Sequence, residues 1–329
     1  HRGPDGDGAY RADGIGMVHR RLAIIDLETG AQPLQDAEGA VLVANAEIYN
    51  HVELRAELAG TVFKSGSDCE PILPLYRLHG VEFVAHLRGM YAIALFDPAN
   101  RELIVARDPF GIKPLYYAEV AEGFVFASEP SAIRSSGLVV GGEEAANRDE
   151  LLQLQFTTGR TTLFHGIQRV LPGETIVVRQ GRVIARHRRE ALPSGAPSVF
   201  EEKWALDLLD ATLADSVTVH QRSDVPYGMF LSGGVDSAAL LSVMSELNED
   251  PVVAYTVGFE GDASDERVLA GVLARKTGAH HVPIEVTAKD FVQTLPRAVA
   301  AMDDPAADYA ILPTYLLAAA AAKDVKVVL

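Results

Sequence analysis

Glycine, serine and aspartate stand together in the hexapeptide Ser232-Gly233-Gly234-Val235-Asp236-Ser237, between an apolar tripeptide and an apolar run. Glycines let the main chain turn tightly, and the start of a following helix offers unpaired N–H groups to an anion. Ser232 and Ser237 add hydroxyl donors, and Asp236 suits a magnesium ion carried by phosphate. A turn with Ser and Asp as helix caps is the alternative, but the order strand, hexapeptide, helix favours a phosphate-binding loop. The Gly-x-x-x-x-Gly-Lys spacing is not present, so cleavage at a γ-phosphate is not implied.

Further polar motifs follow one another in the first 120 positions. They are His1-Arg2-Gly3-Pro4-Asp5-Gly6, 19–26, 45–50, 65–70 and 107–117. Together they resemble the glutaminase domain of glutamine-dependent asparagine synthetases, which are class II amidotransferases with an N-terminal nucleophile. The hexapeptide is similar to the pyrophosphate-binding loop of ATP pyrophosphatases, which adenylate a substrate and release pyrophosphate. The resemblance covers nearly the whole chain.

The resemblance implies roles for five residues in binding glutamine. Arg21 holds the α-carboxylate with its planar guanidinium. Asp68, with Glu47, holds the α-ammonium. The side-chain amide of Asn45 and the main-chain N–H of Ala46 stabilise the oxyanion.

Two departures from the family pattern affect this site. The family nucleophile is a Cys at the first position of the mature chain, upstream of the His1 motif, and Cys69 is expected to be a half-buried residue at a helix start instead. The chain as written is therefore not expected to hydrolyse glutamine. The family usually has Gly where this chain has Ala46, and a positive φ there would cost about 1–2 kcal/mol and misdirect the N–H donor. We therefore hypothesise that Ala46 weakens glutamine use.

For the second site, the resemblance implies ATP and Mg2+ as cofactors. The pyrophosphate-binding residues are Ser232, Gly233, Gly234, Asp236 and Ser237, and Leu231 and Val257 match positions that contact adenosine. The metal ligands are left open. The next family motif, an acidic Ser-Gly loop, would follow Leu329, so we interpret the chain as truncated at both ends.

The pattern of elements predicts two domains of different class. Short strands and hairpins up to residue 192 indicate an α+β domain, for which the resemblance implies the αββα layers of N-terminal-nucleophile glutaminases. The turn-forming residues 192–198 are the predicted linker. From 199 to 329, strands and helices alternate, which predicts an α/β domain with helices on both faces of a parallel sheet, the ATP-pyrophosphatase fold in incomplete form.

Particular segments of the second domain carry expectations of their own. The strands are predicted at 227–231, 252–259, 281–286 and 325–329. Leu206, Leu209, Leu213 and Val217 have helical spacing and are expected to lie on one face of a helix. Residues 309–322 are predicted to be a buried helix. The loop Asp303-Asp304-Pro305 is expected near the ligand edge of the sheet, where lining the synthetase pocket is one of two interpretations.

Composition excludes several classes of partner. With 48% hydrophobic and 22% charged residues the chain is typical of globular proteins, and 29 basic against 45 acidic residues leave a net charge of −16. Such a charge argues against nucleic acid or an anionic membrane as partner. One Cys in 329 residues excludes an internal disulfide and favours the cytoplasm. A homodimer is allowed.

The sequence therefore predicts a carbon–nitrogen ligase, a glutamine-dependent asparagine synthetase. It would amidate aspartate through aspartyl-AMP, with ammonia from glutamine, and release AMP and pyrophosphate. One alternative is the same chemistry on another carboxylate, as in β-lactam synthetases or amidotransferases that modify polysaccharides or peptides. The other is a non-catalytic homologue that binds nucleotide.

Overall fold

The computed structural model describes residues 2–12, 14–196, 201–261 and 265–329. It divides into two compact units, residues 1–194 with 303–307, and residues 195–302 with 308–329. Pro197 and Ser198 of the predicted linker lie outside the described residues. In the part of the chain that is described, no helix is both long and apolar enough to cross a bilayer.

The first unit contains three antiparallel sheets. The six strands of the largest sheet, in spatial order, are β11 (Arg182–Arg188), β10 (Glu174–Arg179), β6 (Glu102–Arg107), β5 (Gly89–Asp97), β4 (Val41–Ile48) and β3 (Leu34–Gln35). The second sheet contains β8 (Gly123–Ala127), β7 (Tyr116–Val120) and β9 (Gln168–Arg169), and a hairpin pairs β1 (Gly6–Ala12) with β2 (Ile15–Arg21).

Alternation along β4 places two cores on opposite faces of the large sheet. Leu42 faces a core closed by α1 (His51–Glu57), α2 (Ile72–His79) and the 3-10 helix Gly80–His86. Val41 and Val43 face a core closed by the second sheet. The far side of that second sheet packs on α3 (Pro130–Ser135), and α4 (Ala145–Leu154) follows in the chain. This order of layers confirms the αββα prediction.

The second unit is built on a parallel sheet. Its strands, in spatial order, are β14 (His280–Val286), β13 (Val253–Phe259), β12 (Tyr227–Phe230) and β15 (Val327–Val328). The helices are α5 (Glu202–His220), α6 (Val235–Leu247), α7 (Glu266–Thr277), α8 (Ala288–Ala300) and α9 (Ile311–Ala321). Side chains of α6 and α7 pack on one face and those of α9 on the other, which confirms helices on both faces.

The helix predicted to carry four apolar residues on one face is α5, and that face is covered only beyond its first two turns. Leu206 and Leu209 are 53% and 59% exposed, whereas Leu213 and Val217 pack in the core of the second unit. Helical spacing identifies residues that share a face, but only the packing decides how far along the helix that face is covered. The buried helix predicted from residue 309 begins at Ile311, and Tyr309 is exposed.

The segment Asp303–Ala307 belongs to the first unit. The Asp304 carboxylate accepts hydrogen bonds from the Arg169 guanidinium at 2.9 Å and from the Tyr116 hydroxyl at 2.7 Å. The Asp303 carboxylate accepts one from the main-chain N–H of Ser131 at 2.8 Å. The carboxylates are engaged in these contacts, which argues against the interpretation that this loop lines the synthetase pocket.

A buried carboxylate, Glu174, joins several strands and loops of the first unit. It is 2% exposed and accepts hydrogen bonds from Arg160 at 2.7 and 2.9 Å, from Arg186 at 3.1 Å and from the N–H of Leu171 at 2.8 Å. Burial opposes ionisation, but these donors outweigh it and lower the pKa of Glu174 below its ordinary value.

We expect Glu174→Gln to lower the free energy of unfolding by about 2–4 kcal/mol, because it leaves two guanidinium groups without their anion. A carboxyl whose pKa is lowered by folding stabilises the protein above its unfolded pKa, and this contribution is lost as pH falls through the folded value. The difference between wild type and variant in urea unfolding should therefore be full near pH 7 and shrink below about pH 4.5. Glu190→Gln, at an exposed ion pair with Arg188, is the control and should change stability by less than about 0.5 kcal/mol. Equal effects of the two variants would contradict the assignment.

Candidate functional site

One cavity of the first unit, of about 660 Å³, is lined by all five residues predicted to bind glutamine. They come from three separate segments of the chain, and β2 and β4 supply four of them. The residues are Arg21, Asn45, Ala46, Glu47 and Asp68.

The residues of the His1 motif fix the end of β2, where Arg21 lies. Gly3 has φ +58°, and a Cβ there would come within 2.3 Å of the carbonyl carbon of Arg20. The N–H of Asp5 donates to the Arg21 carbonyl at 2.9 Å, and the Asp5 carboxylate accepts from the N–H of Ala23 at 2.9 Å. A side chain at Gly3 would therefore displace the strand that carries Arg21.

The Arg21 guanidinium is held by the loop that follows β2. Its Nη2 donates to the carbonyls of Ile25 at 3.0 Å and Asp26 at 2.5 Å. A Cβ on Gly30 would lie 2.3 Å from this nitrogen. Gly30 is thus required for the position of Arg21, and sequence reasoning missed it because nothing local marks the contact.

The β3 strand pairs only with Val41 and Leu42, so the edge of β4 is open beside Ala46. Main-chain groups alternate in direction along a strand, and the neighbours two residues away both face this edge: the Ala44 N–H donates to the Gln32 side chain at 2.6 Å and the Ile48 N–H to the Asp68 carboxylate at 2.7 Å. The Ala46 N–H therefore points the same way, beside the cavity. This is the direction that an oxyanion donor needs.

The strain expected at Ala46 does not occur. Ala46 lies within β4, and the non-glycine residues of the described chain that have positive φ are Asp26, Arg101, Gln155 and Gln180. An alanine with an extended backbone keeps its N–H direction at no steric cost. The physical reason for a weakened glutaminase is therefore removed.

Asp68 is fixed by a turn whose other polar residues serve the main chain. The Glu70 carboxylate accepts from the N–H groups of Lys64 at 2.7 Å and Ser65 at 2.9 Å, and Arg55 donates to two carbonyls of the same turn. Asp68 is 6% exposed. Burial raises its pKa, and the hydrogen bond from Ile48 opposes this.

Cys69 is buried, not half-buried as the sequence suggested. It is 2% exposed, and burial together with the nearby charges of Asp68 and Glu47 raises the pKa of its thiol well above the ordinary value. A buried thiol of this kind is protonated and inaccessible. The prediction that Cys69 does not replace the family nucleophile agrees with this environment.

Glu47 is a strongly perturbed carboxyl of the cavity. Burial raises its pKa to about 8, the charge of Asp68 adds to this shift, and the ammonium of Lys113 opposes it. Lys113 itself lines the cavity. Sequence reasoning included Lys113 in the 107–117 motif but assigned it no role, because its distance from Glu47 along the chain hides their proximity.

In the second unit, the hexapeptide joins β12 to α6 as predicted. The Ser232 and Ser237 hydroxyls are 2.9 Å apart, and the Ser232 hydroxyl accepts from the N–H of Gly234 at 3.1 Å. Val235 and Asp236 begin the helix and are exposed. The N–H of Gly233 donates to the Glu266 carboxylate at 3.4 Å, which shows that this amide faces outward to an anionic group.

The positions predicted to contact adenosine differ in exposure. Leu231 is 2% exposed and its side chain packs in the core, so only its main chain is near the ligand edge. The Thr256 hydroxyl donates to the Leu231 carbonyl at 2.7 Å and accepts from His281 Nε2 at 3.1 Å. Val257 is half-buried on the other face of the sheet. Contact of Leu231 and Val257 with adenosine stays a prediction.

Magnesium fits this loop only together with phosphate. In the described ranges, no group of three or more His, Cys, Asp or Glu side chains could hold a metal ion. Mg2+ commonly binds through one or two carboxylates and the phosphates of its nucleotide, and Asp236 is a carboxylate in the right place for this.

We expect Glu47→Gln to stabilise the protein, and more so at pH 8 than at pH 5. A carboxyl with a raised folded pKa makes the native state bind more protons than the unfolded state, so stability falls as pH rises from about 4.5 to 8. A glutamine side chain does not ionise, so the variant does not lose stability in this way as pH rises. Its free energy of unfolding at pH 8 should exceed that of the wild type by about 1–3 kcal/mol. Thermal unfolding at both pH values measures it, with Glu190→Gln as the control. A loss of stability at pH 8 would contradict the assignment.

Comparison with known families matches both units. A glutamine amidotransferase domain model matches residues 1–188, and an asparagine synthase model matches residues 208–329. The glutamine-hydrolysing asparagine synthetase 1 of Bacillus subtilis (strain 168) is 37% identical over 335 residues, which cover 100% of this chain and 52% of that protein. The chain thus spans about half the length of this relative.

Two further relatives widen the comparison. A Methanocaldococcus jannaschii protein with the same family name is 32% identical over 358 residues, covering 100% of this chain and 68% of that protein. The amidase chry2 of Gibberella zeae is 33% identical over 298 residues, which cover 82% of this chain and 43% of that protein. From the two family models and these identities, the chain belongs to the family of glutamine-hydrolysing asparagine synthetases.

Proposed function

We propose that the complete protein transfers the amide nitrogen of glutamine to the β-carboxylate of aspartate, which it first activates as aspartyl-AMP. The observation that carries this proposal is the single cavity lined by all five residues predicted to bind glutamine. We place the glutaminase chemistry in residues 1–192 and the synthetase chemistry in residues 199–329 and beyond. The cytoplasm is the proposed location, because the single Cys of the sequence is a buried thiol.

The cavity offers a partner for each polar group of glutamine. Arg21 binds the α-carboxylate, and Glu47 with Asp68 receives the α-ammonium. The family's N-terminal Cys attacks the amide carbon to give a thioester and ammonia. Negative charge develops on the amide oxygen during this attack, before ammonia leaves, and the Asn45 side chain and the Ala46 N–H donate to it.

The hexapeptide of the second unit binds the leaving pyrophosphate. Ser232, Ser237 and the N–H groups of the two glycines donate to its oxygens, and the start of α6 favours its charge. The acceptor carboxylate attacks the α-phosphate of ATP, pyrophosphate leaves, and ammonia then displaces AMP to form the amide. Mg2+ held beside Asp236 would neutralise charge on the bound phosphates.

The similarity to an amidase supports a second candidate, the same chemistry on another carboxylate. The Gibberella zeae relative has 33% identity but a different name, so the cavity and the hexapeptide do not by themselves select aspartate.

The test uses the complete protein with ATP, Mg2+, aspartate and ammonium, and follows AMP and asparagine together. Equal amounts of AMP and asparagine are expected. ADP in place of AMP would contradict adenylation, and AMP formed only with other carboxylates would select the second candidate. Ammonium makes this result independent of the glutaminase cavity.

We expect Ala46→Gly to leave glutaminase activity unchanged or lower kcat/KM by no more than about fivefold. Glycine relieves no strain at an extended position and adds main-chain freedom worth about 0.5–1 kcal/mol. Glutamate release from glutamine measures the effect, and Ala106→Gly, at a buried strand position that is not among the residues lining the cavity, controls for lost stability. A higher rate in Ala46→Gly would restore the hypothesis that Ala46 weakens the site.

A further inference from the structure

The turn that follows β6 is held by hydrogen bonds of two residues: Arg107, the last residue of β6, and Asp108, the first residue of the turn. Asp108 is fully buried, and its carboxylate accepts from the N–H groups of Phe110 at 3.1 Å, Ile112 at 2.9 Å and Lys113 at 3.0 Å. Arg107 donates to the Lys113 carbonyl at 2.7 Å. The main chain of Lys113 therefore has a fixed position, which limits where its side chain can reach.

Arg107 ties this turn to the rest of the first unit. Its other nitrogens donate to the carbonyls of Gly111 at 2.7 Å and Val170 at 2.8 Å. A Cβ on Gly111, which has φ +66°, would lie 2.8 Å from Pro172. The turn is thus packed tightly enough to hold one conformation.

Lys113 is half-buried and lines the same cavity as Glu47 and Asp68. Its ammonium is the nearby cation that favours ionisation of Glu47, while Asp68 disfavours it. Burial lowers the pKa of the Lys113 ammonium, and Arg2 adds to this, whereas the charges of Glu47, Asp108 and Asp68 oppose it. The other charged and titratable groups that line the cavity are Arg2, His19, Arg20, Arg21, Asp68, Cys69 and Glu129. Tyr49 and Asp108 also interact electrostatically with the pair.

Two carboxylates in one half-buried cavity cannot both ionise without a cation nearby. Glutamine brings such a cation, its α-ammonium, but Glu47 must give up a proton to receive it. A lysine held beside Glu47 lowers the cost of that step.

We propose that Lys113 is a positioning residue for glutamine, whose ammonium stabilises the Glu47 carboxylate and so sets the pH above which the α-ammonium of the substrate is bound. This inference rests on the proposed glutaminase function. The chemistry recognised is that of an α-amino acid amide, and the ammonium is the group that depends on Lys113.

The test measures the pH dependence of glutaminase kcat/KM in the complete protein, without ATP or aspartate, for wild type and Lys113→Met. Loss of an opposite charge from the same cavity is expected to raise the pKa of the Glu47 carboxyl by about one unit. The acidic limb of the profile should therefore move up by about one pH unit, which lowers kcat/KM about tenfold at pH 7. The difference between the two profiles should shrink from about tenfold at pH 7 to about twofold at pH 9, with KM changed more than kcat.

Three comparisons make the result specific. Lys113→Arg should restore the wild-type profile, because it retains the charge. Lys203→Met, at an exposed pair with Asp207, should leave the profile unchanged. Inhibition by glutaramate, which has the carboxylate and amide of glutamine but no α-ammonium, should be equal in wild type and Lys113→Met.

The outcomes separate this inference from the proposed function. Wild type without glutaminase activity at any pH would overturn the proposed function and this inference with it. An active wild type whose profile is matched by Lys113→Met would overturn the inference alone. So would a Lys113→Met that loses glutamine and glutaramate equally at every pH, because that result indicates a misfolded cavity.

Discussion

The cost of ionising two carboxylates, Glu47 and Asp68, inside one half-buried cavity is the constraint on which the first unit depends. Burial raises the pKa of both groups, so their removal from water opposes the negative charge that a ligand ammonium needs. The Ile48 N–H and the Lys113 ammonium reduce this cost. A cationic group bound in the cavity would favour the charged forms of both carboxylates.

Most motif residues around the cavity act on the main chain. Asp5, Glu70 and Asp108 each accept hydrogen bonds from backbone N–H groups of turns that place Arg21, Asp68 and Lys113. Buried carboxylates used in this way keep irregular segments in one conformation, because each N–H needs a partner when it is removed from water. The residues of the cavity are therefore positioned by turns whose N–H groups donate to carboxylates. The large sheet is the scaffold to which these turns are attached.

The loop of the second unit is more exposed than the cavity of the first unit. This loop carries hydroxyl and N–H donors at the start of a helix, and the Glu266 carboxylate accepts from one of those N–H groups. A chain of hydrogen bonds from His281 through Thr256 to the Leu231 carbonyl fixes the end of the preceding strand. The loop is thereby anchored at its base and open at its tip, which suits a ligand that brings its own charge and metal ion.

The sequence by itself determined the class of both units and the strands of the second unit, because periodicity is a local property of the chain, and the resemblance carried by the order of its motifs pointed to five residues that line the cavity. It did not determine that Leu206 and Leu209 are exposed, that Cys69 is fully buried, or that Asp304 binds Arg169. The roles of Gly30 and Lys113 also came only from the tertiary structure. Burial and distance set both contacts and pKa, and neither exists until segments far apart in the chain are packed together.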